Sequence, residues 1–367
     1  MKSIYIWQQT DWPDFTWDDA KLSYKLGRVR GLQGRLVGRM SALGFDLKNS
    51  AMLDALTADI TKSSEIEGEI LNVDQVRSSV ARHLGIEIEG LPEADRYIDG
   101  VVQVMIDATQ NYMQPLTAER FFNWHAALFP TGRSGVYKIT VADWRQGAEP
   151  MQVISGAMGK EKIHYQAPDS DHVPYQMKLF LEWVNGNQKI DPVLKAAIAH
   201  LWFVTIHPFD DGNGRISRTI TALFLARADE MPHRFYSMSA EIRKQRKRYY
   251  EMLEKTQKGS LDITNWLEWF LDCLEAALLD TEKSISTILQ KAAFWDKYRL
   301  VSMNERQIKM VNLFWDGFDG KLTSSKWAKI TKCSPDTALR DIQDLITKGV
   351  FRKTDEGGRS TNYELVL

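Results

Sequence analysis

The sequence predicts a mainly α-helical chain with one small β-rich insertion and a helix–turn–helix–hairpin segment at its end. Three observations lead there. Apolar residues recur at helical spacing, with capping residues before them and glycines after, through most of the 367 residues. Between Gly132 and Ser170 the pattern changes, because Gly132, Gly135, Gly147, Gly156 and Gly159 interrupt short β-prone runs. From about Ser302 a fresh helical stripe begins, and two β-prone runs close it. At 42.1 kDa the chain exceeds one small core. Four segments are expected: an N-terminal helical region over 1–95, a core over 96–285, a helical linker over 286–301 and a C-terminal domain over 302–367.

The elements follow in order. Residues 17–45 read as a long helix. A second, from about Ser50 to Glu67, has Leu53, Leu56 and Ile60 on one stripe, and Gly68 ends it. Asn72 is placed to cap the next helix, with Gln75 completing a capping box and Leu71 and Val76 a hydrophobic staple. Residues 94–130 make two helices parted near Gln114-Pro115. Met151–Ser155 and Lys162–Gln166 form a hairpin around Gly156-Ala-Met-Gly159. Helices return at Pro174–Asn185, Asp191–Ile206 and Arg215–Ala228, and Pro208 discourages helical geometry at His207. Residues 239–257 and 262–295 are helical, with Trp266, Trp269 and Leu271 buried. Ser334 caps a last helix with Pro335 at its first position and Ala338, Leu339, Ile342, Leu345 and Ile346 as its stripe; Gly349 stops it.

Composition excludes several classes. Hydrophobic content of 44% and charged content of 26% are ordinary for a globular protein. A net charge of −1 provides no global field for nucleic acid or acidic membrane. Two distant thiols, Cys273 and Cys333, make neither a disulfide framework nor a zinc site. The N-terminus lacks a long apolar run, and the richest one, Ala196 to Ile206, is too short to span a bilayer. A cytoplasmic protein without membrane contact is expected.

The chemistry concentrates in twelve residues, His207-Pro-Phe-Asp-Asp-Gly-Asn-Gly-Arg-Ile-Ser-Arg218. Gly212 and Gly214 permit positive φ and close approach of a ligand to backbone. N–H groups at that turn, opening a helix, make an anion site. Arg215 and Arg218 are three apart and could share one polyphosphate. Asp211 offers a single carboxylate, which suits Mg²⁺ in the company of phosphates and water. His207 can accept a proton near neutral pH. No P-loop, His-Glu-x-x-His, Gly-x-Ser-x-Gly or kinase set is present, and His200 is read as a satisfied helix histidine.

The stretch resembles, without departure, the Fic motif His-Pro-Phe-x-(Asp/Glu)-Gly-Asn-Gly-Arg-x-x-Arg. The resemblance implies a Fic-type helical core at 96–285 with a β-hairpin flap, and transfer of AMP from ATP to a Ser, Thr or Tyr hydroxyl of a target protein, the chain itself included. It makes His207 the general base and Asp211 the Mg²⁺ ligand. Gly212, Asn213, Gly214 and Arg215 would bind the α- and β-phosphates, and Arg218 would reach the γ-phosphate. Ser63-Ser-Glu-Ile-Glu67-Gly68 resembles the family's inhibitory motif (Ser/Thr)-x-x-x-Glu-(Gly/Asn). Glu67 would then hold Arg218 in a bidentate pair at the γ-phosphate position; activation of water for AMP removal is the other reading of Glu67. Tyr249, Tyr250 and Gln257 fall where relatives contact adenine, although relatives often carry Asn at the last. Tyr249 and Tyr250 could equally be core aromatics.

The flanks resemble those of bacterial Fic proteins: an N-terminal helical region with the inhibitory helix, and a C-terminal winged helix that includes Asn304-Glu-Arg-Gln307 and Gly357-Gly-Arg-Ser-Thr-Asn-Tyr363. A winged helix suggests DNA contact through Pro335–Lys348, with Arg340, Lys348, Arg352, Lys353 and Arg359 reaching phosphates. Residues 302–367 hold eleven Lys/Arg against nine Asp/Glu, far from a strongly basic footprint, so protein contact stands beside DNA. A homo-oligomer is open, as are donors other than ATP.

Overall fold

The structure, a computed structural model, describes residues 5–41, 44–88, 90, 92–156, 162–232, 234–315, 318, 320–354 and 362–366. The hairpin turn at 157–159, the turn at 355–358, residues 359–361 and with them Arg359 lie outside the described residues. The chain divides into two compact units, Met1–Thr281 and Glu282–Leu367. It is mostly helical, as the spacing predicts, with short antiparallel hairpins.

The first unit contains α1 (Asp19–Ser41), α2 (Phe45–Ile66), α3 (Val73–Leu84), α4 (Arg96–Gln110) and α5 (Ala118–Leu128). Two hairpins follow: β1 (Arg133–Ser134) with β2 (Tyr137–Lys138), and β3 (Gln152–Ser155) with β4 (Lys162–Gln166). Then come α6 (Val173–Asn185), α7 (Pro192–Ile206), α8 (Asn213–Asp229), α9 (Met238–Lys244), α10 (Arg246–Gln257) and the start of α11 (Thr264–Lys297). The small β1–β2 hairpin has no sequence signal beyond its glycines. The stretch read as one helix over 239–257 is two, because Gln245 leaves helical geometry at φ −109° and ψ 26°.

Helices end where the chain supplies a stop. Asn72 accepts from the Gln75 N–H at 3.0 Å, and Leu71 and Val76 are buried. The reciprocal half of the capping box is not made, since Gln75 Oε1 has no partner. α2 ends at Ile66, and Gly68 takes φ +90° to turn the chain out. Asp191 caps α7 and accepts from Val193 N at 2.8 Å.

α7 is buried almost all round, from Val193 to Ile206 with Lys195 excepted, so it is the axis of this unit. α8 packs along it, and α2 packs on α9, α3 and α4. One buried ion pair fixes α2. Asp59 accepts from Arg234 Nη1 at 3.1 Å, Ser237 Oγ at 2.8 Å and Ser239 N at 2.8 Å. The two side chains are 4% and 1% exposed. Removing one partner strands a buried charge, which typically costs about 3–5 kcal/mol. Asp59→Ala should therefore lower the midpoint of the first unit's thermal unfolding by several degrees, whereas Asp54→Ala, on an exposed pair, should leave it nearly unchanged. Equal midpoints in calorimetry would refute the anchoring role of Asp59.

The second unit has α12 (Glu305–Trp315), α13 (Ser324–Thr331), α14 (Pro335–Thr347) and a hairpin of β5 (Phe351–Lys353) with β6 (Tyr363–Leu365). Its core holds Trp327, Ala338, Ile342, Leu345 and Phe351. Ser334 caps α14, accepting from Thr337 N at 3.2 Å, and Gly349 takes φ +70°. Leu339, assigned to the buried stripe, is 49% exposed. Two of the cations named for phosphate contact are already engaged: Lys348 with Asp344 and the Ser302 carbonyl, and Arg352 with Glu364. Among the described residues no helix is long and apolar enough to cross a membrane.

Candidate active site

His207 caps α7 in the left-handed conformation, φ 52° and ψ 59°. Pro208 makes helical continuation unfavourable there, and the chain turns away from α7 at this residue. Arg145 holds the turn: its Nε donates to the His207 carbonyl at 2.8 Å, its backbone N–H to Pro208 O at 2.9 Å, and Nη2 to Pro168 O beyond β4. Arg145 is buried, and sequence reasoning missed it because nothing local marks it.

The imidazole is polarised by one contact. His207 Nδ1 lies 3.1 Å from the Val204 carbonyl, which accepts, so the proton resides on Nδ1 and Nε2 keeps its lone pair. Burial pushes the ring below the ordinary histidine value; the bond to Val204 opposes this and Arg145 reinforces it. The ring is neutral at neutral pH, the form a base needs.

Phe209 is fully buried and stacks on His125, 4.2 Å between centroids and 7° between planes. His125 Nε2 meets the Asp211 carbonyl at 3.2 Å, and burial lowers its pKa to about 4, so it stays neutral. Asn213 braces the loop from within: Oδ1 accepts from Phe209 N at 3.0 Å and Nδ2 donates to Phe209 O at 2.8 Å. Its side chain is thus spent on the loop, not directed at a ligand. Gly212 needs its missing Cβ, with φ +81° and the Phe129 ring 2.8 Å from where a Cβ would stand. Asp211 accepts from Gly212 N at 2.5 Å and from Ser134 Oγ.

α8 opens at Asn213, and its first N–H groups have no carbonyl within the helix. The Glu67 carboxylate stands beside this turn. A methyl built on Gly214 would collide with Glu67 Oε1. Arg218 Nη2 donates to that same oxygen at 2.7 Å, while its Nε donates to Ser63 Oγ at 2.8 Å. Nη2 also reaches the Ser63 carbonyl at 2.9 Å. The pairing is therefore not the expected bidentate fork: the guanidinium is divided between Ser63 and Glu67, because Glu67 sits past the end of α2, at its C-cap, and meets one nitrogen only. Arg218 is 2% exposed.

Arg215 goes elsewhere. Its Nη1 donates to Tyr97 Oη at 2.8 Å and to Glu69 Oε2 at 3.2 Å, and its guanidinium lies 4.8 Å from the Phe129 ring centre. Tyr97 donates to the same Glu69 oxygen at 2.6 Å. Arg215 and Arg218 do not converge on one ligand here; the segment Glu67-Gly68-Glu69 engages both. Glu69 and Tyr97 were invisible in the sequence, since nothing in their spacing links them to the loop.

The loop opens on a cavity of about 660 Å³ lined by Glu67, His207, Asp211, Gly214, Tyr250 and Gln257 among others, with Arg215 and Arg218 behind its wall. That volume suits a nucleotide-sized ligand. Tyr249 also lines it, but it is 1% exposed and its hydroxyl meets His200 Nε2 at 2.9 Å, so it is wall and core at once. His200 is satisfied on both nitrogens, with Thr221 Oγ1 2.8 Å from Nδ1. Tyr250 Oη approaches Glu67 Oε2 and the Ile66 carbonyl, both at 3.3 Å. Gln257 is buried, with only long contacts of 3.4 Å to Val204 O and Thr205 Oγ1.

Comparison with known proteins points one way. The family model described as Fic/DOC family matches residues 115–225, and one described as a domain of unknown function (DUF4172) matches residues 5–86. The chain is 27% identical over 230 residues to the Aedes aegypti protein named protein adenylyltransferase Fic, covering 61% of this chain and 41% of that one. It is 27% identical over 241 residues to the like-named protein of Culex quinquefasciatus, covering 65% and 43%. The chain thus spans about two fifths of the length of these relatives. Among solved structures, a Fic family protein from Desulfovibrio desulfuricans G20 superposes with a TM-score of 0.51 at 20% identity, covering 93% of this chain and 96% of that one. Fic-1 from C. elegans superposes with a TM-score of 0.50 at 21% identity, covering 73% and 74%.

Proposed function

We propose, from the premise that the chain carries a Fic/DOC family domain across residues 115–225, that it transfers AMP from ATP to a Ser, Thr or Tyr hydroxyl of a protein and is restrained by its own Glu67. What supports this is one juxtaposition: a neutral imidazole with Nε2 unprotonated opens on the same cavity as the first turn of a helix, and a carboxylate of the same chain stands against that turn, bonded to Arg218.

The chemistry follows from the residues. His207 Nε2 takes the proton of the target hydroxyl as its oxygen attacks the α-phosphorus and pyrophosphate leaves. Backbone N–H groups at Asn213 and Gly214 stabilise the charge that develops on the phosphate oxygens. Two loop carboxylates line the cavity, Asp211 and Asp210, the latter accepting from Thr140 N at 2.8 Å, and no cluster of three or more metal-binding side chains occurs among the described residues. That donor set fits Mg²⁺, which takes one or two carboxylates and keeps phosphates and water. Asp211 would hold the ion, and the ion would neutralise phosphate charge. The β3–β4 flap carries Ile154 and Ile163, paired across its strands and exposed. Its strand edge could align an extended target segment by backbone pairing.

The test uses ATP labelled at either end. Label retained covalently from the α-phosphate, with release of pyrophosphate, is the expected result. Retention from the γ-phosphate would mean phosphoryl transfer instead, and loss of AMP from an already modified target would favour removal.

Arg145 gives a separate prediction. Arg145→Lys keeps charge but cannot bridge His207 O and Pro168 O. Transfer kcat should fall about 10- to 100-fold, the range expected when a catalytic group is misplaced by about 1 Å, with the KM for ATP little changed. A KM effect with unchanged kcat would assign Arg145 to nucleotide binding.

A further inference from the structure

The flap and α10 together place three side chains in a row that the reaction above does not use. Ser155 Oγ, on β3, lies 2.5 Å from His164 Nε2 on β4. His164 Nδ1 lies 2.6 Å from Glu254 Oε2 on α10. All three line the cavity that holds His207 and Asp211. Glu254 is also held by Lys258 at 2.8 Å, with Lys162 3.8 Å away. Burial raises the Glu254 carboxyl, but the bonds from Lys258 and His164 outweigh it and bring it to about 2, so it is ionised at neutral pH. An ionised acceptor on Nδ1 places the imidazole proton there and turns a lone pair on Nε2 toward the serine. A hydroxyl, an imidazole and an orienting carboxylate within hydrogen-bond reach are the signature of an activated nucleophile.

We propose that Ser155 is itself an acceptor for adenylyl transfer, activated by His164 and Glu254, so that the flap is a self-modification site. This rests on the adenylyl-transfer reading above. In the step, Ser155 Oγ forms a bond to the α-phosphorus of ATP, the bond to the bridging oxygen of pyrophosphate breaks, and the hydroxyl proton passes to His164 Nε2. Ser155 is exposed, so the acceptor of one copy is open to the cavity of the same copy or of another.

Two readouts on the full chain separate this inference from the reading beneath it. Glu67→Gly protein incubated with ATP and Mg²⁺ should carry AMP on Ser155 by fragmentation mass spectrometry, and His164→Ala in that background should slow the adduct at least about tenfold. A fluorophosphonate probe, which needs no nucleotide, should label Ser155 in the wild type and lose that label in His164→Ala and Glu254→Gln. AMP found only on other residues overturns the acceptor role and leaves adenylyl transfer standing. AMP found nowhere on the chain also overturns the acceptor role; the adenylyl-transfer reading falls with it only if a cell lysate supplied as target likewise gains no label from α-labelled ATP. Absence of probe at Ser155, or labelling indifferent to His164, overturns the relay.

Discussion

Glu67→Gly protein, incubated with ATP and Mg²⁺, is expected to gain AMP about 10- to 100-fold faster than wild type, read as a mass increase of the intact chain. The range follows from what is removed. A hydrogen bond to a charged group contributes about 1.5–3 kcal/mol, and about 1.4 kcal/mol is a factor of ten. Glu67 accepts one such bond from Arg218, at 2.7 Å, and a longer one from Tyr250 Oη, at 3.3 Å, and its side chain is 33% exposed, so solvent screening favours the lower end for each. The gain should not come from loosening the fold. Glu67 lies at the end of α2 with φ −83° and ψ 1°, which glycine adopts freely, and α2 stays anchored through Asp59 and Arg234. Arg218 keeps its bonds to Ser63 in the variant and remains available to a phosphate. Equal rates for wild type and Glu67→Gly would overturn the restraining role. A larger effect than the bond alone explains would point to Glu69, whose hold on Arg215 depends on the same three-residue segment.

His207→Ala in the Glu67→Gly background is expected to lower transfer to a separate target protein, as distinct from modification at Ser155, about 10²- to 10⁴-fold, the usual contribution of a positioned base. Binding of ATP should persist, since the α8 N-terminus and Arg218 remain. The pH dependence carries a sign that can be checked. Burial depresses the folded-state pKa of His207 below about 6.5, so the proton-accepting form is complete at and above neutral pH. Transfer by Glu67→Gly should therefore be flat from about pH 7 upward and fall on acidification, with its midpoint below about 6.5. The same depression makes the folded state lose stability as pH falls below the unfolded value, where the unfolded chain binds the proton first. A midpoint above 7, or a rate that survives His207→Ala, would exclude His207 as the base.

Much of the fold was legible because its signals are local. Caps at Asn72 and Ser334, stops at Gly68 and Gly349, and strands 152–155 and 162–166 depend on residues a few positions apart. The misses have equally local causes. Gln245 interrupts 239–257 without a Gly or Pro to announce it, and Leu339 lies on a face that helical spacing alone cannot separate from its buried neighbours.

The sequence by itself determined the conformation of the reactive loop. Pro208 excludes helix at His207, Gly212 permits φ +81°, and Asn213 closes a ring of hydrogen bonds onto Phe209 four residues back. Only the tertiary structure decided which partners meet that loop. Arg218 finds Ser63 and Glu67, Arg215 finds Glu69 and Tyr97, and Arg145 clamps His207. Ser155, His164 and Glu254 come into line in the same way. The physical reason is range. A turn is set by steric limits on a few adjacent dihedrals, whereas an ion pair between residues about 150 apart depends on how helices pack and which way a guanidinium fork is divided.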